Sequence, residues 1–480
     1  MRTLIHDACV LTVDAGRRVL DRGHVLIDGR TIAAVGAGAP PAGLVAERTI
    51  DARGMVLTPG LINMHQHLHM SLLKGLADGL LLEPWIFKFS TPFRAHLDEE
   101  ALRLGTTLSA LEMLRTGTTC VLNHQGALEG VPDYREKVIA WLAGTGLRQT
   151  MAVAFQCRTP KMPQHPHSAE EARSLLERFI DANDGAHDGL TRLALVIECN
   201  AHHTELGRSS DELVRVGHGL AQERNLRVAV HMSGGTLSMS MGFTKYRRQT
   251  GRSDVEYLER LGVLDGRWIL KHGIHFSDAD MAHVRERGAS VVYTPTSEAI
   301  RGGGIGPFVR MRELGIRCAL GSDGASVDYT VDMVQQMRAC AYLQAVRYRD
   351  VAAIAPAAAL EMATIDAAKA LGRAHEIGSI EPGKRADLVL FDLSRPAQQL
   401  IADPVARLVH GGRGSDAHTV FVDGVALLEG GRFTRFADVD GLVAQAQRKA
   451  RDATRAAGLD VRARPLWPQP DAAPATPLVH

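Results

Sequence analysis

The sequence predicts an α/β protein: a (β/α)8 barrel with a smaller composite β-sandwich domain formed from the N- and C-terminal segments. Three observations predict it. Eight short apolar segments alternate with amphipathic helical stretches through the middle of the chain, the pattern of a parallel sheet with covering helices. They span roughly 250 to 300 residues, the size of such a barrel. Strand-rich stretches of similar texture flank them, each with an Asp-Gly turn, at Asp28-Gly29 and Asp423-Gly424.

In chain order, residues 9–13, 24–27 and 31–35 carry the β-branched and apolar residues of short strands. Barrel strands are expected over residues 56–64, 119–123, 148–155, 193–199, 227–230, 268–271, 290–293 and 317–320. Helical periodicity marks residues 100–115, 169–182, 210–223 and 254–261 between them. Strands return at 386–393 and 418–428, and a helix is expected over 441–457. Pro465, Pro468, Pro470, Pro474 and Pro477 then predict an extended, partly disordered tail. The expected division is a first part of the sandwich over 1–58, the barrel over 59–375, the second part of the sandwich over 376–435, and a helix with its tail over 436–480.

Composition narrows the function classes. Of 480 residues, 45% are apolar and 23% charged, which excludes extended disorder for most of the length. Lys and Arg number 55 against 54 Asp and Glu, so nothing in the charge calls for nucleic acid or an anionic membrane as partner. No apolar run is long enough to span a bilayer, and residues 1–10 lack a charged leader followed by an apolar stretch. The six cysteines form no CxxC pair, which argues against a disulfide scaffold or a thiolate zinc knot. A cytoplasmic protein is expected. Histidine stands out, with 21 against 7 Tyr and 4 Trp.

An open doubly wound sheet would use the same strand–helix units; the polar residues favour the barrel. Barrel enzymes carry their chemistry at the C-terminal ends of the strands. His65 and His67 follow the first expected strand, His124 the second, His202 and His203 the fourth, His231 the fifth, His272 the sixth and Asp323 the eighth. Residues two apart on a strand share a face, so His65 and His67 can reach one ion while Gln66 turns away. His231 and Asp323 would complete a nitrogen/oxygen site with room for water. An isolated HxH is common by chance; its company in barrel order carries the argument. His124, His202 and His203 are expected to line the pocket or orient a neighbour, and His275 to sit behind the ligands. His69, His165, His167 and His187 fit no strand end and are expected as ordinary loop or surface residues.

A specific resemblance rests on Pro59-Gly60-Leu61-Ile62-Asn63-Met64-His65-Gln66-His67, Ser71-Leu72-Leu73-Lys74-Gly75-Leu76-Ala77-Asp78 and Gly117-Thr118-Thr119. Leu320-Gly321-Ser322-Asp323-Gly324-Ala325-Ser326 and Ile377-Gly378-Ser379-Ile380-Glu381-Pro382-Gly383-Lys384-Arg385-Ala386-Asp387-Leu388 extend it. Over nearly the whole chain the sequence resembles the amidohydrolase superfamily, in the branch containing the triazine hydrolases and the purine or S-adenosylhomocysteine deaminases. The resemblance implies a TIM barrel with a composite β-sandwich and one divalent metal ion, zinc first, with iron or cobalt as alternatives. It carries His65, His67, His231 and Asp323 over as ligands. His272 becomes a fifth ligand or a hydrogen-bond donor to water and substrate. Where some members bridge two metals with a carbamylated lysine, this chain has Glu198-Cys199-Asn200, so one metal is expected, with a Glu198 bridge between two metals as the alternative. A homo-oligomer is also expected from the resemblance.

One position departs from the pattern. Deaminases of this branch carry a glutamate three residues after the fifth-strand histidine, and here that residue is Gly234. Proton delivery of that kind contributes roughly 10²–10⁴-fold. An amide, urea or carbamate carbonyl depends less on ring protonation. The expected function is therefore hydrolysis of a non-peptide C–N bond of that type, in a small ring-bearing molecule, by a metal-activated hydroxide. Asp323 would accept the proton and His272 steady the oxyanion. Asp323, His272 or Glu298 would supply the remaining proton transfer. The alternative is an aminohydrolase of a purine, pterin or triazine, with another acid replacing the missing glutamate. A non-catalytic barrel scaffold is disfavoured by the retained ligand positions. Trp85, His124, His202, His203, Gly234 and Glu298 are the expected substrate contacts. Gly378–Lys384 imitates a phosphate loop, but Pro382 removes an N–H donor and a strand follows, so a turn is expected.

Overall fold

The computed structural model describes residues 1–76, 80, 82–125, 131–199, 208–234 and 250–459. The first strands are β1 (Arg2–Leu11), β2 (Val19–Asp28), β3 (Thr31–Ala37), β4 (Arg48–Asp51) and β5 (Met55–Pro59). The barrel strands are β6 (Leu61–Gln66), β7 (Thr118–Gln125), β8 (Arg148–Ala154), β9 (Thr191–Val196), β10 (Val228–Met232), β11 (Trp268–His272), β12 (Ser290–Tyr293) and β13 (Arg317–Leu320). The chain ends its strands with β14 (Leu388–Asp392), β15 (Ala417–Val422), β16 (Val425–Glu429) and β17 (Arg432–Phe433).

β6 to β13 lie side by side in sequence order and every neighbouring pair is parallel. The last strand returns to the first: the backbone N–H of Asp323 donates to the carbonyl of His65 at 2.9 Å. The Asn63 side chain reinforces that seam by accepting from the Ser322 N–H at 3.1 Å. A glycine is needed here, because a Cβ on Gly321 would lie 2.7 Å from the His65 nitrogen. The result is the (β/α)8 architecture.

Inside the barrel one apolar layer takes residues from all eight strands: Ile62 and Met64, Cys120 and Leu122, Ala152 and Ala154, Ala194 and Val196, then Ala229, Ile269, Val292 and Ala319. Small alanines on half the strands leave room for larger neighbours. Ala367, Ala368 and Leu371, on the helix Ile365–Leu371, join this layer.

The remaining strands form one nine-stranded mixed sheet, β17-β16-β15-β14-β5-β1-β2-β3, with β4 beside β1. Strands from both ends of the chain thus pair, as expected. The sandwich core is enclosed by one continuous sheet: Ile27 and Ile32 share an apolar cluster with Leu388 and Phe421 from the far half. The turn Gly378–Lys384 serves this closure, since Lys384 O accepts from Ile32 N at 2.8 Å. The expected single strand over 56–64 is two strands. Met55–Pro59 pairs antiparallel with β14, and the chain crosses at Gly60 into the barrel. Both halves are apolar, so hydrophobicity alone carries no mark of the crossing.

A buried ionic cluster joins the sheet to the barrel. Arg148, the first residue of β8, donates two bonds to Asp387, at 2.6 and 2.9 Å, and one to Asp423 at 3.0 Å. All three side chains are less than a tenth exposed. Arg148→Met would leave the Asp387 carboxylate buried beside no guanidinium. We expect a loss of about 3–5 kcal/mol in denaturant unfolding.

The C-terminal helix spans Val439–Ala456 and starts before the expected boundary because the Asp438 side chain caps it through Gly441 N. Its Ala446 and Ala453 pack with Phe93, Leu97, Ala101 and Leu104. The tail prolines lie outside the described residues. Among the described residues no helix is long and apolar enough to cross a membrane.

Candidate metal centre

Strand alternation explains most of the site. Continuing the inward parity of Leu122, Val196, Ala229, Ile269 and Val292 brings His124, Glu198, His231, Lys271 and Thr294 to the same side, one layer towards the C-terminal ends, while Asp323 lies four residues beyond the inward Ala319, on the turn past β13. On β6 the pairing register slips between Asn63 and Gln66. There Asn63 Oδ1 accepts from the backbone N–H of His65 at 3.2 Å.

Four groups converge. Asp323 Oδ1 stands 3.4 Å from His65 Nε2 and 3.5 Å from His67 Nε2. His231 Nε2 stands 3.3 Å from His67 Nε2. Neighbouring ligand atoms around an ion at about 2.0–2.1 Å stand roughly 3.3–3.4 Å apart, and these three separations lie close to that spacing. His67 Nδ1 lies 2.9 Å from the carbonyl oxygen of His124. A carbonyl only accepts, so the ring proton sits on Nδ1 and the Nε2 lone pair faces the centre. His65 is completely buried, and neither of its ring nitrogens has a hydrogen-bond partner. A buried imidazole left in that state is costly unless a cation takes its lone pair. The residues present fit a divalent ion.

The electrostatics agree. Burial pushes His65 well below the usual histidine range, and the charge of Lys271 pushes it further. Burial likewise lowers His67, against the pull of Asp323. For Asp323 burial acts upward, but His67, His272, Arg301 and the Ser297 hydroxyl outweigh it and hold the carboxyl below its usual range. Neutral imidazoles facing an ionised carboxylate are the protonation states a dication requires.

His272 joins the ring cluster, with His65 and His231 as its metal-spaced companions. Its Nδ1 lies 2.8 Å from Glu298 Oε1 and 3.1 Å from Thr294 Oγ1. Burial would lower His272, yet the Glu298 bond and charge, with Asp323, lift it above the ordinary value. His272 and Asp323 both adopt left-handed backbone, at φ 78° and 61°, a strained state that surrounding structure must enforce. For Asp323 the enforcement is visible: Gly324 N donates to Oδ1 at 2.7 Å and Ser297 Oγ to Oδ2 at 2.8 Å.

The expected substrate contacts divide. Glu298 is buried behind His272 and acts on that ring. His124 is buried and bonded to Glu198 and Lys271, at 2.9 and 2.7 Å. Trp85 stacks under the Arg301 guanidinium at 4.3 Å. Gly234 presses against His272, so that a Cβ there would meet the His272 Cβ and Cγ at 2.8 Å. His202 and His203 lie outside the described residues. His69, expected as an ordinary loop or surface residue, is only 2% exposed. It is the second residue of the short 3-10 turn Leu68–Leu73, which packs on the helix Glu99–Arg115. His275 makes a backbone bond to Ser233 O at 3.2 Å.

Sequence reasoning missed Lys271. It is fully buried at the inward parity of Ile269, and burial lowers its ammonium to about 7 against the raising charges of Glu198 and Asp323. A lysine alternating with barrel-filling residues was the available signal.

The family model described as "Amidohydrolase family" matches residues 56–427. A 5-methylthioadenosine/S-adenosylhomocysteine deaminase of Desulforudis audaxviator is 32% identical over 453 residues, 94% of this chain and 99% of its own. A zinc-bound adenosine deaminase from Xanthomonas campestris superposes with a TM-score of 0.84 at 28% identity, over 94% of this chain and 98% of that one. A triazine hydrolase from Arthobacter aurescens shares the fold, with a TM-score of 0.81 at 22% identity over 94% of this chain and 99% of its own. With the model covering more than three quarters of its length, this chain belongs to the amidohydrolase family.

Proposed function

We propose that the chain hydrolyses a non-peptide C–N bond of a small, ring-bearing molecule, using one divalent ion, zinc first, held by His65, His67, His231 and Asp323. The observation that carries this reading is the convergence of those four groups, linked by separations of 3.3–3.5 Å between their ligand atoms. Zinc in the adenosine deaminase neighbour supports the choice of ion, and the heterocycles in the relatives' names support a ring-bearing substrate. A cytoplasmic setting goes with the six cysteines, all present as free thiols.

A divalent ion held by these four residues would polarise the scissile group and bring the pKa of water towards 7. Asp323, held as a carboxylate, accepts a proton as water attacks. His272, biased towards its charged form by Glu298, donates from Nε2 to the oxygen that gains charge. Asp323 then returns its proton to the leaving nitrogen.

The bond cleaved is of the amide, urea or carbamate type, because Gly234 offers no acid to protonate a ring nitrogen. A second reading is removal of an amino group from a heterocycle, favoured by the names of the relatives. The two separate on a panel of cyclic ureas, amides and aminopurines. Carbonyl-type substrates should turn over fastest, while ammonia release from aminopurines as the leading activity would install the second reading. Metal analysis should give about one equivalent per chain, and a purified protein that binds no zinc in dialysis would end both.

A further inference from the structure

A chain of side chains runs from the barrel interior to one metal ligand. Lys271 Nζ lies 2.7 Å from His124 Nδ1, and His124 Nε2 lies 2.9 Å from Glu198 Oε1. The same Glu198 oxygen takes a short bond with His231 Nδ1, and the other Glu198 oxygen lies 3.4 Å from the His231 backbone nitrogen. Lys271 and His124 are buried, with Glu198 largely so. The four residues come from four adjacent or near-adjacent strands of the barrel: β11, β7, the end of β9, and β10.

The order of donors follows from chemistry. A carboxylate only accepts, so both imidazoles present N–H to Glu198: His124 from Nε2 and His231 from Nδ1. A neutral imidazole has one N–H. His124 Nδ1 must therefore accept, and the Lys271 amine is the donor that faces it. His231 Nε2 must likewise bear a lone pair, and that atom points to His67 Nε2 across the centre. An imidazole whose tautomer is set by a carboxylate on its other nitrogen is a stronger and better-aimed metal ligand.

The same residues admit a rival. His124, Glu198 and His231 also lie close enough together to hold an ion of their own. The Lys271 side chain opposes that use in its ammonium form, which only donates: an ion taken by His124 through Nε2 would move that ring's proton to Nδ1, against the ammonium N–H.

We propose that Lys271, His124 and Glu198 form a positioning relay that fixes the metal-binding tautomer and orientation of His231, and that Glu198 is not a bridge between two ions. The inference rests on the proposed metal centre and deepens it: it assigns to three residues a role in holding the ion, not in touching substrate.

The test uses the full-length protein with zinc or cobalt(II) as probe. Zinc affinity is read by chelator competition, His231 ligation by the visible absorption of the cobalt form, and folding by circular dichroism. Wild type should hold one equivalent. Glu198→Gln should lower zinc affinity by ~10–100-fold and shift the cobalt bands, with the fold kept. Lys271→Met should move both readouts in the same direction by less, and it carries the test if Glu198→Gln does not fold. Wild-type affinity and cobalt spectrum in a folded Glu198→Gln would overturn the relay while leaving the metal centre intact. Two equivalents in wild type, with one lost in Glu198→Gln, would overturn it in favour of a bridge. No metal in wild type would overturn the relay together with the proposed function.

Discussion

Asp323→Ala is expected to abolish turnover, by at least about 10²–10⁴-fold from the lost proton transfer, with further loss from weakened metal binding. The proposed function gives the residue three duties. It faces the Nε2 atoms of His65 and His67 as the one carboxylate of the proposed ligand set, it accepts the proton of the attacking water, and it fixes its own loop through Gly324 N and Ser297 Oγ. Asp323→Asn separates them. The amide keeps a side-chain oxygen to accept one of those loop bonds, but it cannot take a proton at neutral pH. Both variants should therefore be inactive, with Asn the more stable of the two. A φ of 61° suits Asn far better than Ala, so the difference should appear in thermal unfolding. Steady-state rates, metal content and melting of the two proteins check this. An Asp323→Asn enzyme with near wild-type kcat would remove Asp323 from the chemistry.

The barrel was legible because its strand positions are written twice, in apolar segments and in polar residues just past their ends. His65, His67, His231, His272 and Asp323 could be placed by counting to the end of each expected strand. Glu198 and Lys271 obey the same alternation, yet they were harder to see as site residues. A carboxylate or a lysine near a strand reads as solvated surface unless the inward parity is followed through to Val196 and Ile269. The crossing at Gly60 carried a signal in Pro59-Gly60, a turn-type dipeptide that reading 56–64 as one strand passed over. The slip in β6 had none, since Asn63 there bonds to Ser322, distant in sequence and just past β13. His69 misled for the opposite reason: a polar residue in a loop is ordinarily exposed, but here the loop is packed beneath the C-terminal elements.

Gly234→Glu shows most sharply how the site departs from the deaminase pattern. On sequence alone this change restores the missing acid and should raise aminohydrolase activity. The structure predicts the reverse. A Cβ at this position would sit 2.8 Å from both Cβ and Cγ of His272, atoms close to the backbone that cannot swing aside as a long side chain could. His272 is further fixed by its own left-handed φ and by its bonds to Glu298 and Thr294. The new side chain must therefore displace the strand end that carries His272, which separates the ring from Glu298 and removes the donor aimed at the developing oxyanion. The backbone shift that overpacking forces costs about 1–3 kcal/mol, and loss of a preorganised oxyanion donor costs about 10²–10³-fold in kcat. Gly234→Ala introduces the same Cβ without the carboxyl, so it should show much of the damage. If Gly234→Glu instead gained ammonia release from an aminopurine while Gly234→Ala stayed active, the His272 contact would not be limiting, and the aminohydrolase reading would displace the one proposed here.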